Sequence, residues 1–113
     1  MTRKIVHDTC SALPGAEWSD PWGGGHDCWK VGGKIFAVTG SVNAAVAVKT
    51  EGIDQAEMLI AAGPARRASY FHRSWVELPL DTPADELQHR IRASYGLIRA
   101  TLPKKVQAAL DPV

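Results

Sequence analysis

Read for the spacing of apolar and polar positions, the chain falls into an alternation of helical and extended segments. Ile5, Val6, Thr9, Cys10 and Leu13 recur on one helical face, which predicts a first helix over 3–13 with Thr2 as its N-cap and Pro14-Gly15 as its stop. Glu17 to Trp22 reads as a short edge strand, because Pro21 cannot donate to a central ladder. Gly23-Gly24-Gly25 then makes a loop. The clearest extended signal is Cys28 to Thr39, two apolar runs around Gly32-Gly33. Glycine takes the positive φ that a type I′ turn needs at both central residues, so this pair predicts a two-residue hairpin. After a turn near Gly40-Ser41, Ala44 to Lys49 continues it into a third strand.

A second helix is expected over 55–62, with Asp54 as N-cap, Glu57 completing a capping box and Gly63-Pro64 ending it. Ala68 to His72 and Ser74 to Leu80 read as further strands, the second with Val76, Leu78 and Leu80 on one face and Trp75 and Glu77 on the other. Leu87, Ile91, Tyr95, Ile98 and Leu102 form one apolar stripe, predicting a long helix over 84–102. His89, Arg92, Gly96 and Arg99 fall on a different face, and Pro103 opens a short last helix as its N1 residue. The order implies a single α+β domain over 1–113, an antiparallel sheet with helices packed on one face.

Composition narrows the class without naming a function. At 113 residues, 45% apolar and 22% charged, the chain is an ordinary globular domain, and it has no apolar run near the roughly 20 residues a membrane span needs. Two cysteines imply no disulfide framework, so a cytoplasmic location is expected. The net charge of +1 decides little, but its distribution says more. Residues 28–50, 58–76 and 87–110 contain no Asp or Glu and hold eleven of the thirteen basic residues, which could build a local positive patch.

Candidate chemistry is sparse. His7, Cys10, His26 and Cys28 are potential N/S ligands, but none of the tight Cys-x-x-Cys pairs of structural zinc sites is present, and no metal or other cofactor is expected. Iron handling would need exposed carboxylates, and the first helix offers only Asp8 beside Arg3 and Lys4. There is no phosphate loop, no Gly-x-Ser-x-Gly elbow, no His-Glu-x-x-His and no dinucleotide fingerprint, so an enzyme is not expected. Asp85-Glu86 at a helix start is explained by the helix dipole. His72 and Trp75 could share a surface if the chain bends at Arg73-Ser74, and are candidates for contact with a ligand or partner.

Taken in order, several short pieces resemble the YjbR (MmcQ-like) family. They are Cys10-Ser11-Ala12-Leu13-Pro14-Gly15-Ala16-Glu17, Trp29 to Ala37, Val48-Lys49, His72-Arg73-Ser74-Trp75-Val76, Ser94-Tyr95-Gly96-Leu97 and Leu102-Pro103-Lys104-Lys105. Two features depart from the family's pattern: Gly96, where a polar residue is expected after Ser-Tyr, and the loop from Gly23 to His26. The resemblance implies a fold like that of CyaY, the bacterial frataxin, and a bacterial, non-enzymatic DNA-binding protein of "double wing" type. On that reading the loops at Gly32-Gly33 and Gly23-Gly24-Gly25 are wings, and Lys30 and Lys34 flank a tip that approaches DNA. Lys49, Arg66, Arg67, Arg73, Lys104 and Lys105 extend the surface, giving phosphate contacts without sequence specificity. DNA is then the expected partner and a monomer the favoured state. The alternative is a module that binds a protein or small ligand, suggested by four tryptophans in so short a chain.

Overall fold

The computed structural model describes residues 2–40 and 44–113. The Thr2 side chain and Ser41, which enter the expected first cap and the Gly40-Ser41 turn, lie outside the described residues. In chain order the elements are α1 (Thr2–Ser11), β1 (Glu17–Ser19), β2 (Asp27–Val31), β3 (Lys34–Thr39), β4 (Ala45–Lys49), α2 (Ile53–Ala62), β5 (Arg66–Arg67), β6 (Trp75–Pro79), α3 (Ala84–Ala100) and α4 (Lys104–Ala108). The strands form one antiparallel sheet in the order β1-β2-β3-β4-β6-β5.

The expected apolar stripes do the packing. Val6, Cys10 and Leu13 from the first helical segment and Leu87, Ile91, Tyr95 and Ile98 from α3 are buried in one core with Trp29, Phe36, Val46, Val48, Val76 and Leu78. Complete burial of an aliphatic side chain of this size contributes about 1.5–3 kcal/mol, so this layer dominates stability. Tyr95 also donates its hydroxyl to the Pro14 carbonyl (2.6 Å) and meets Phe36 edge to face.

The hairpin forms where the glycine pair requires it. Val31 pairs with Lys34 across Gly32 (φ 57°) and Gly33 (φ 82°). Trp29 then opposes Ala37 while Lys30 opposes Ile35, so Phe36 is an extra residue, a bulge in β3. The bulge ends the β3–β4 ladder at Ala37–Val48, and a side chain takes over its hydrogen bonds. Ser94 Oγ on α3 donates to the Phe36 carbonyl (2.7 Å) and accepts from the Lys49 N–H (2.9 Å). Either group left buried and unpaired would cost about 1–3 kcal/mol.

Five expectations need correction. The first strand stops at Ser19 rather than Trp22, because the Asp20 carboxylate turns back to accept from the Gly25 and His26 N–H groups (3.0 and 3.2 Å). The α2 cap is Gly52 with no side-chain cap bond; Asp54 sits in the first turn, and Gln55 accepts from the Glu51 N–H (2.7 Å) instead. Ala68 to His72 is not a strand: pairing is confined to Arg66–Arg67, and the chain then turns through Tyr70 at φ 69°. Pro103 caps α4 from outside rather than occupying its first turn, and α3 ends at Ala100.

A cleft on the open face and a cationic sheet end

The register assigns each strand residue to a face. Trp29, Ala37, Val46, Val48, Val76 and Leu78 lie under the helices, and Cys28, Val38, Ala47 and Glu77 line up on the other face. β4 reads Ala-Val-Ala-Val and is buried on both faces, as a strand must be if its second face is also shielded from water. That shield comes from loops. The 20–26 loop brings Trp22 and His26, and the 68–73 loop brings Ser69, Tyr70 and Phe71, to the rim of a cleft of about 480 Å³. Its floor is Ile35, Val38, Ala45 and Ala47, with Glu77 in its lining. The size falls within the range of about 300–1,000 Å³ typical of small-molecule pockets.

The rim aromatics differ in their anchoring. Phe71 stacks on Trp75 (centroids 4.5 Å apart, planes at 24°), while Trp22 meets His26 edge on at 5.3 Å. His26 Nδ1 lies 3.0 Å from the Gly23 carbonyl. Tyr70 is fully exposed and held in the left-handed region, which a bulky side chain rarely occupies. Glu77 Oε1 accepts from Arg66 Nε at 2.6 Å.

The expected site residues divide into groups. Lys34 Nζ donates to Thr101 Oγ1 (3.2 Å), beside the start of α4 that carries Lys104 and Lys105. The hairpin tip rests on the same corner, since a Cβ at Gly32 would come within 2.7 Å of the Leu102 side chain. Lys49 pairs with Trp75 and Arg67 with Val76, which sets both at the hairpin end of the sheet. Lys30 lies across from Ile35 on the cleft face, with Glu17 as its other cross-strand neighbour. Arg66 and Arg73 are ion-paired with Glu77 and Glu57 (2.6 and 3.1 Å), so acids from other stretches fill gaps in the basic ones. Among the described residues, Lys30, Lys34, Lys49, Arg67, Lys104 and Lys105 make no ion pair.

His72 and Trp75 separate. Trp75 is buried under Phe71, whereas the exposed His72 accepts from the Ser74 N–H at Nδ1 (3.1 Å), with Ser74 Oγ 2.9 Å away. Lys49 Nζ donates to the same hydroxyl (2.8 Å). Ser74 is itself buried. The four potential metal ligands also go separate ways: His7 packs on Trp29, His26 bonds its own loop, and both cysteines are free and buried. Burial pushes both thiols up; the Asp27 carboxylate adds to the effect at Cys10, while Lys30 and Ser19 partly offset it at Cys28. Both thiols are therefore protonated and poorly reactive at neutral pH.

None of the rim residues Trp22, Tyr70 and Phe71 stands out in the sequence as a contact. The available signal is the two-faced apolar pattern of β4, which asks for a second cover. No helix among the described residues is long and apolar enough to cross a membrane.

Helices α1, α2 and α3 packed around one core with an antiparallel sheet, and loops shielding the sheet's open face, define an α+β domain whose accessible features are a cleft and a cationic corner. A model of the YjbR family matches residues 11–97, and the chain belongs to that family. The crystal structure of Deinococcus radiodurans protein DR2400, which carries a DUF419 domain, has the same fold: the TM-score is 0.81 at 23% identity, covering 91% of this chain and 83% of that one. No curated protein matches the chain.

Proposed function

We propose that the protein binds nucleic acid without catalysing a reaction on it, through phosphate contacts at the hairpin end of the sheet. The supporting observation is the gathering of Lys34, Lys104 and Lys105 around Thr101 and Leu102, with Lys49 and Arg67 at the same sheet end. Cations that make no internal ion pair are available to phosphate oxygens, and such contacts give affinity without reading bases. Lys30 and the paired Arg66 and Arg73 contribute less, because carboxylates stand beside each of them. Two free cysteines fit a cytoplasmic setting.

Labelled duplex DNA titrated at about 50 mM and again at about 200 mM salt should show binding that falls steeply between the two. Reversal of Lys34, Lys104 and Lys105 to Glu should abolish most of the affinity and flatten the salt slope by roughly one for each lysine that had neutralised a phosphate. Failure to bind at the lower salt rejects this reading. A second reading, a small-ligand module, is favoured by the cleft; on it the triple reversal changes nothing.

A further inference from the structure

We propose that the cleft on the open sheet face binds a flat, uncharged heteroaromatic ring, a nucleobase, whose attached phosphate is held by cations at the rim. The phosphate reading does not require this: Lys34, Lys104 and Lys105 line no part of the cleft, and of its supporting cations Lys49 alone is common to the two.

The chemistry of the lining selects the ligand. Trp22, Tyr70 and Phe71 offer aromatic faces above a floor of small apolar side chains, a combination that accepts a ring stacked flat. Tyr70 is the most telling of the three. Its backbone is held in a disfavoured region, yet its ring is fully exposed and buries nothing in the free protein. Strain of this kind persists where the surrounding structure holds a side chain for a purpose, and a ring presented to solvent at a cleft mouth is placed to stack.

Glu77 argues against a purely aliphatic ligand. Arg66 takes its Oε1, and among the described residues Oε2 has no hydrogen-bond partner. Covering that carboxylate with a molecule that has no donor would strand a charged acceptor away from water. An ammonium ligand would gain from the aromatic faces, but the Glu77–Arg66 ion pair leaves it little net negative charge to meet, and Lys30 and Lys49 stand on the same face. The N–H edge of a base meets neither objection. Charge around the cleft points the same way: Lys30 lies across from Ile35 of the floor and Lys49 follows Ala47 by two residues on the same face, while Arg66 is taken up by Glu77. Against these stand Glu17, beside Lys30, and Glu77 itself. A neutral ring carrying a phosphate complements this arrangement better than any cation does.

The test uses the full chain, isotope-labelled for amide NMR. The four deoxynucleoside monophosphates are titrated singly to millimolar concentrations, followed by a short single strand, its duplex and tetramethylammonium. Expected is a saturable response confined to Ile35, Val38, Ala45, Ala47 and the 69–71 segment. Tyr70→Ser should weaken it about tenfold, the usual loss for one stacked base. Because the Tyr70 ring is fully exposed, that variant keeps the fold, and Trp22→Ala should act in the same direction. The triple Lys34, Lys104 and Lys105 reversal should leave mononucleotide binding unchanged while weakening the duplex, which separates the two proposals. A single strand that binds more tightly than any mononucleotide identifies unpaired nucleic acid as the source; equal affinities identify free nucleotide. The proposal is overturned if no nucleotide or single strand binds, if Tyr70→Ser and Trp22→Ala leave affinity intact, or if tetramethylammonium produces the response and nucleotides do not.

Discussion

Asp27 ties the first helix to the sheet edge, and its hydrogen bonds give the fold a pH dependence with a definite sign. Its carboxylate accepts from Arg3 Nε (2.8 Å) and Trp18 Nε1 (2.7 Å) at once, and Arg3 also donates to the Gly25 carbonyl. Partial burial alone would raise its pKa; the bonds from Arg3 and Trp18, with the Arg3 and His7 charges, outweigh that and hold it below the usual range. A carboxyl group whose folded pKa is depressed contributes stability that is fully present above its unfolded value, about 3.9, and is lost as pH falls through the folded value. Asp27→Asn should therefore destabilise the protein at neutral pH by on the order of 1 kcal/mol, a charged hydrogen bond discounted for solvent at Arg3. The gap should close as pH falls below about 4. Urea midpoints at neutral pH and at successively lower pH check this, and a gap that stays constant through the acid range contradicts it.

The β2–β3 hairpin is the element most legible in the sequence, and its two glycines do different work. Both have positive φ, but Gly33 faces open space while Gly32 lies against Leu102. Gly33→Ala should cost only the left-handed backbone penalty of about 1–2 kcal/mol. Gly32→Ala should cost more, because buried Leu102 must also shift, and chemical denaturation of the two variants measures the difference. Equal losses would mean that the tip is not seated on the chain that follows α3. The long α3 stripe was equally plain from its helical period, and the Ala-Val-Ala-Val strand from its short apolar run continuing the hairpin. The Phe36 bulge was not legible: it depends on Ser94, fifty-eight residues away, taking over a carbonyl that the ladder drops. The same holds for the segment from Ala68 to His72, whose apolar residues resemble a strand but are turned by Tyr70 to cover the sheet instead of extending it. Charge behaved likewise. Stretches free of acid in the sequence receive Glu57 and Glu77 in space, and no count along the chain reveals that pairing.

For the whole molecule, the sheet has two unlike faces and two short edges. One face carries the core; the other carries a cleft assembled from β3, β4, β6 and two loops, which explains why no single motif announced it. The edges decide how copies of the chain meet. An exposed edge strand offers unpaired N–H and C=O groups to a second molecule, and proteins blunt that hazard by shortening the strand or charging it. Here β1 has three residues, followed by Asp20-Pro21, and β5 has two, both arginine. Neither edge can support a continuous intermolecular ladder, since strands that pair stably usually run to about five or six residues. Of the exposed large apolar side chains, only Trp22 and Tyr70 share a site among the described residues, the cleft rim; Trp18, Met58 and Val106 lie on β1, α2 and α4, and Val113 lies beyond α4. The chain should therefore sediment as a monomer at micromolar concentration and remain one in high salt, where apolar association strengthens and charge repulsion is screened. Sedimentation equilibrium at low and high salt checks both conditions. A dimer that survives Trp22→Ala and Tyr70→Ser would locate the contact at an edge and show that two or three residues suffice to pair; a dimer that both substitutions dissolve would assign the cleft face to a second copy of the chain.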